Sequence, residues 1–243
     1  MGITHIWHKF RLSGHKIALA ALFVLAAKAG MAQGFVDMNN PGYDDRKFSY
    51  GFLIGIHKTA FSLRYSDEFA SNNLDTLHSI QPTWSPGFSL GFLVNMKVHD
   101  YFDLRITPKV AFYEYHLEYN YTDQTVVEHL KESTIVEFPI VLKYKSQRRG
   151  NSRMYLFGGF KPGFEASGKN DLDSGIETLH INRYNLNMDF GVGLDLYFPL
   201  FKFSPELRFS KGLVNMLNDK PSKYSAGIGR LATNTIHLYF LFQ

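Results

Sequence analysis

Residues Asn187–Phe198 read NMDFGVGLDLYF. Met188, Phe190, Val192, Leu194, Leu196 and Phe198 are apolar, whereas Asn187, Asp189, Gly191, Gly193 and Asp195 are polar or small. A period of two puts these sets on opposite faces of a β-strand. The fold turns on which face meets water, because one of them carries two carboxylates.

The same alternation recurs along the chain. FSYGFLIGI aligns Phe48, Tyr50, Phe52, Ile54 and Ile56, and PGFSLGFLVNMKV aligns Phe88, Leu90, Phe92, Val94, Met96 and Val98. FDLRITPKVAF sets Phe102, Leu104, Ile106, Val110 and Phe112 against Arg105, Thr107 and Lys109. TIVEFPIVLKYK sets Val136, Phe138, Ile140, Leu142 and Tyr144 against Glu137, Lys143 and Lys145. RMYLFGGFKPGFE opposes Met154, Leu156, Phe160 and Phe164 to Lys161 and Glu165, and KFSPELRFS opposes Phe203, Leu207 and Phe209 to Lys202, Glu206 and Arg208. TIHLYFLFQ closes the series with Ile236, Leu238, Phe240 and Phe242.

These eight segments are joined by long connections near 58–85, 119–131, 168–183 and 211–231 and by short ones at 99–101, 147–152 and 199–201. Long loops on one side and tight turns on the other describe an all-β fold, an eight-stranded antiparallel transmembrane β-barrel of the outer membrane. The assigned apolar faces hold no Asp, Glu, Lys or Arg. A Lys or Arg at the bilayer midplane costs about 2–4 kcal/mol, so that absence is informative. A soluble β-sandwich also alternates, but it does not require eight nearly charge-free faces this rich in Phe. Beyond Phe112 the parity inverts: Glu114, His116 and Glu118 take the apolar register while Tyr113, Tyr115, Leu117 and Tyr119 take the other. This reads as a bulge, or as a strand extending above the membrane.

If the apolar face meets lipid, the polar face points inward. An eight-stranded barrel is wide enough only for its own side chains. The inward set includes Lys97, Arg105, Lys109, Glu137, Lys143, Lys161, Glu165, Asp189, Asp195, Glu206 and Arg208. Both signs are present, so a paired charge network is expected rather than an open pore, since unpaired buried ions are costly.

Residues 1–32 have a separate logic. Lys9, Arg11 and Lys16 precede the apolar run Ile17–Ala27, and Gly30 and Ala32 suit a signal peptidase site. Cleavage is expected after Ala32, leaving a periplasmic N-terminal segment over 33–45 and a barrel domain over 46–243. The run is too short to span a bilayer as a helix. The chain has 26 Lys and Arg, four of them in this leader, so 22 remain against 22 Asp and Glu. That balance gives no reason to expect nucleic acid as a partner. The absence of Cys excludes disulfides, thiolate metal sites and a lipidated N-terminal cysteine.

No chemical motif survives its context. GFSLG, Gly87–Gly91, matches a hydrolase elbow, which needs a strand–turn–helix setting that Ser89 lacks. GIGRLA, Gly227–Ala232, is followed by a strand and the end of the sequence, without the helix and acid of a dinucleotide fold. His57, His78, His99, His116, His129, His180 and His237 are too dispersed for a compact metal motif. Asp189 and Asp195 lie about 20 Å apart on one strand and cannot act together. No enzyme activity, cofactor, metal or small-molecule substrate is expected. The densest basic cluster is KYKSQRRGNSR, where Arg148, Arg149 and Arg153 form either a solvated turn or a dock for an acidic partner.

The segments PGFSLGFLVN, DLRITPKVAFYEYHLEY, STIVEFPIVLKYKSQRRGNSRMYLFGGFKPGFE and DFGVGLDLYFPLFKFSPELRFSKGLVNML resemble the PorT family, outer-membrane components of type IX secretion in Bacteroidetes. The resemblance spans about Pro86 to Leu217 and also places the chain in the wider group that includes OmpA- and OmpX-type barrels. It implies a non-enzymatic role in protein export, tied to gliding adhesins or virulence proteases, with other secretion-machinery proteins and outer-membrane lipid as partners. A filled barrel would make the chain an accessory or assembly subunit rather than the conduit. Two other readings stay open: a structural or adhesive barrel acting through its outer loops, and a membrane enzyme, for which no clustered polar rim is visible.

Overall fold

Each alternating segment must bury one face and hydrogen-bond both edges, and in lipid that forces strands into a ring. The computed structural model describes residues 38–66, 69, 77–123, 125–166, 181–218 and 227–243. The leader 1–32 and its cleavage point lie outside the described residues. The strands are β1 (Phe48–Tyr65), β2 (Leu77–Thr83), β3 (Ser85–Lys97), β4 (Phe102–Ile106), β5 (Lys109–Tyr121), β6 (Val126–Glu137), β7 (Ile140–Lys145), β8 (Ser152–Glu165), β9 (Tyr184–Tyr197), β10 (Lys202–Gly212) and β11 (Ile228–Phe242).

Six of these are halves of three barrel staves. β4 and β5 flank Thr107–Pro108, and β6 and β7 flank Phe138–Pro139. Proline cannot donate to the ladder, yet its carbonyl still accepts: Phe92 N–H donates to Pro108 O at 2.9 Å, and Thr107 N–H donates to Pro139 O at 3.0 Å. β2 and β3 are divided at Trp84. Counted as staves, the sheet runs β1, β3, β4/β5, β6/β7, β8, β9, β10, β11 and back to β1, every pairing antiparallel. β11 pairs with both β10 and β1, so the eight-stave ring is closed.

The outward row is apolar and exposed, with Phe52, Ile54, Phe92, Leu142, Met154, Phe160 and Phe190 prominent. The inward row holds the charges. No bulge occurs after Phe112: β5 and β6 stay in unbroken register from Lys109↔Glu137 to Asn120↔Val126. The faces are conserved and the surroundings change. Tyr113, Tyr115, Leu117 and Tyr119 continue the inward row and are buried, while Glu114, His116 and Glu118 continue the outward row.

Strands also run further than their lipid-facing residues. β1 has 18 residues, against the about 9–11 that cross a bilayer. Beyond Thr59↔Ser85 it keeps only β11 as neighbour, while β2 pairs with β5. Tyr65 bridges this fork, its hydroxyl donating to Ile80 O at 3.1 Å and accepting from Ile80 N–H at 3.2 Å. The two lobes share one apolar core of Phe61, Ile80, Tyr115, Leu117, Tyr119 and Leu231. Phe61 stacks on Tyr115 with ring centroids 4.5 Å apart. Connections near 58–85 and 119–131 thus shorten, because much of each is strand, while 211–231 loses only its two ends to β10 and β11.

Candidate functional site

Three layers fill the lumen between the tight turns, which are periplasmic in outer-membrane barrels, and the apolar core. Nearest the turns, Lys145 Nζ lies 2.6 Å from Asp103 Oδ1, and Lys143 Nζ lies 2.7 Å from Asp195 Oδ2. Ser204 donates to Asp195 at 2.6 Å. In the middle layer, Arg105 Nη1 meets Glu206 Oε2 at 2.8 Å, and Arg208 spans Glu206 and Asp189, the latter at 3.2 Å. Tyr155 donates to Glu206 at 3.0 Å and Ser210 to Asp189 at 2.7 Å. In the third layer, Glu137 takes Lys109 at 2.7 Å, Lys161 at 3.0 Å and the Tyr113 hydroxyl at 2.8 Å.

Arg105, Lys109, Glu137, Lys143, Asp189, Asp195, Glu206 and Arg208 are therefore all brought together inside the barrel, each no more than 3% exposed. Alternation cannot show who pairs with whom, because the ion-pair partners lie up to 101 residues apart, as for Arg105 and Glu206. Asp103, Lys202, Asn95 and the tyrosines Tyr155 and Tyr239 also belong to the lining. Lys202 already stands on the polar face of KFSPELRFS, and the same parity applied to every inward position would have found the others. Lys97 sits at the mouth instead, 3.0 Å from Asp100 in the β3–β4 turn. Its hydrogen bond and charge hold the Asp100 carboxyl below the usual carboxylate range. His57 and His237 are register partners with ring centroids 5.1 Å apart. Lys109 and Lys161 lie nearby, an arrangement hostile to a cation. Among the described residues no group of three or more His, Cys, Asp or Glu is placed to hold a metal ion. Ser89 is buried in mid-strand, facing Gly55 across β1 and β3.

The basic turn has an unexpected neighbour. Asn39–Arg46, which includes a 3-10 turn over Pro41–Asp45, folds across the periplasmic mouth. Asp44 accepts from Arg153 Nη2 at 2.6 Å and from the Tyr197 hydroxyl at 3.0 Å. Arg148 lies 3.7 Å over the Tyr197 ring, 3.7 Å from Asp44, and donates to Asn39 O. Tyr43 is buried and donates to the Gln243 side chain at 3.0 Å. Arg148 and Arg153 are thus engaged by the chain's own N-terminal strap, while Arg149 is exposed. Nothing in local sequence pattern reveals this contact, since Asp44 and Arg153 are 109 residues apart.

Residues 31–218 match the model of the outer membrane protein beta-barrel domain. The chain belongs to that family. It is an outer-membrane protein, and its lipid-facing rows follow from that location. No curated protein matches it. Among solved structures, Neisserial surface protein A is similar at 11% identity and TM-score 0.40, over 81% of this chain and 98% of that one. The attachment invasion locus protein Ail of Yersinia pestis is similar at 11% identity and TM-score 0.35, over 79% of this chain and 96% of that one. The structure of Ail with the heparin analogue sucrose octasulfate is similar at 11% identity and TM-score 0.34, over 81% and 99%.

Proposed function

We propose that this chain is a non-enzymatic structural barrel that works through the platform it raises above the outer leaflet. One observation carries the reading: the lumen is filled by paired charges, whereas β1, β2, β5, β6 and β11 continue past the lipid-facing rows around a Tyr-rich core. A closed interior leaves the surfaces to do the work, and a packed platform holds loops on rigid elements, where recognition is most often placed. The ligands of such a platform are cell-surface or extracellular molecules, which makes the chain a structural or adhesive barrel.

The test is a strain lacking the gene, complemented with a barrel whose connections β1–β2, β8–β9 and β10–β11 are cut to short Gly/Ser links. Loss of surface attachment with an unchanged culture-medium proteome supports the proposal. The resemblance to PorT gives a second reading, an accessory role in type IX secretion. It is favoured by the exposed Arg149 in a turn otherwise tied to the strap. Under that reading exported proteins leave the medium of the deletion strain and return with the loop-trimmed barrel, while Arg149→Glu blocks the return.

A further inference from the structure

The outward rows end in different charges on different flanks. On β1 the row Tyr50, Phe52, Ile54, Ile56 ends at Lys58, and on β10 the row Phe203, Pro205, Leu207, Phe209 ends at Lys211. On β5 and β6 the corresponding rows end at Glu114 and Glu132, which are register partners. Lys58 stands ten residues beyond Phe48 at the start of β1, and Lys211 nine beyond Lys202 at the start of β10, so the two cations share one membrane level.

Between them runs β11. Asn234 is the register partner of both Lys211 and Ala60, and Ile236 is the partner of Lys58. Two strand spacings and a two-residue offset along β11 separate the lysine backbones, about 12 Å. Among the described residues no carboxylate lies within ion-pair distance of either one. Further out, Arg64 and Arg230 are also direct register partners, two like charges on one face. Such pairs are unfavourable unless an anion lies between them. Just below Lys58 is an apolar groove of about 500 Å³ lined by Ile56, Trp84, Pro86, Leu207, Ile236 and Leu238.

We propose that this flank binds a phosphate-bearing membrane lipid, with its headgroup between Lys58 and Lys211 beside the Asn234 carboxamide and an acyl chain in the groove. The shape and charge suit such a lipid in three ways. Lys stems lie along apolar surface while their ammonium groups reach the headgroup level. The groove lining is apolar, so a tail is its natural occupant. The opposite flank ends its rows in carboxylates, Glu114 and Glu132, so an anionic headgroup is directed to this side.

Trp84 borders the groove and is 47% exposed, which makes it a reporter. The chain has two tryptophans, so Trp7→Phe leaves Trp84 alone whether or not the leader is removed. The full chain is reconstituted in phosphatidylcholine vesicles containing either brominated phosphatidic acid or brominated phosphatidylcholine, and Trp84 quenching gives relative occupancies. Each cation near a headgroup favours an anionic lipid about fivefold, so phosphatidic acid is expected to be preferred about tenfold or more. Lys58→Gln with Lys211→Gln should bring the ratio close to one, and the Arg pair at the same positions should keep it. Equal quenching by the two lipids in the parent protein overturns the proposal, with no dependence on how any variant folds. So does a preference unchanged in a Gln pair that still shifts its gel mobility on boiling. Abolition of the preference by inorganic phosphate overturns it too, in favour of a free-anion site.

Discussion

Tyr155 on β8 lies directly opposite Gly193 on β9, and a Cβ added at residue 193 would come 2.1 Å from the Tyr155 ring. Tyr239 on β11 and Gly55 on β1 repeat the relationship at 2.3 Å. Each ring lies over bare backbone, and that is how so narrow a lumen holds tyrosines beside its ion pairs. Gly193→Ala must displace Tyr155 from Glu206. A small-to-large change in a packed interior costs about 1–3 kcal/mol, so the urea midpoint should fall while the barrel still forms. Gly158→Ala is the internal control: its nearest neighbour would be 3.9 Å away, and its unfolding free energy should stay within about 0.5 kcal/mol of the parent. Equal effects at the two sites would contradict the packing described.

Among the described residues Glu137 is the only carboxylate on both Lys109 and Lys161. Glu137→Leu leaves two ammonium groups buried without an acid, and breaking a buried ionic group in this way costs about 3–5 kcal/mol. The triple change Glu137→Leu, Lys109→Met and Lys161→Met removes all three charges and should recover most of that loss. Urea titrations of the three proteins in one detergent check this. A triple variant no more stable than the single one would mean that the network does more than satisfy its own charges.

The strap depends on Asp44, which is held by Arg153, Arg148 and Tyr197. Asp44→Asn should free Arg46 and Lys47 for trypsin, while the barrel retains its gel shift on boiling. Stability of the barrel itself should change by less than about 1 kcal/mol, since partly exposed ion pairs contribute little. Trypsin protection unchanged in the variant would show that Tyr43 and its bond to Gln243 hold the strap without Asp44.

How far the sequence was legible depends on the range of the interaction. Alternation is local, so the lipid-facing rows of NMDFGVGLDLYF and its counterparts, the eight staves and the inward parity of Asp189 or Arg208 could be read directly. At Glu114 and Tyr115 the rule itself still held, but the surroundings exchanged roles. Outside lipid the exposed face becomes charged and the interior becomes apolar, which from sequence alone resembles a change of register. The clamp between Asp44 and Arg153, the meeting of His57 with His237, and the partner of each interior ion depend on barrel closure and on residues far apart in the chain. The level shared by Lys58 and Lys211 depends on the stagger of the staves, which no single strand contains.

The central claim is that the lumen is closed by its own side chains, so the protein acts at its surfaces. The most direct measurement is the ionic current through the folded chain in a planar bilayer under high salt and moderate voltage. The account predicts a silent membrane, and Arg105→Ala with Glu206→Ala, which empties one layer, should give at most small, brief openings. A stable open channel in the parent protein would contradict the account and make the barrel a conduit.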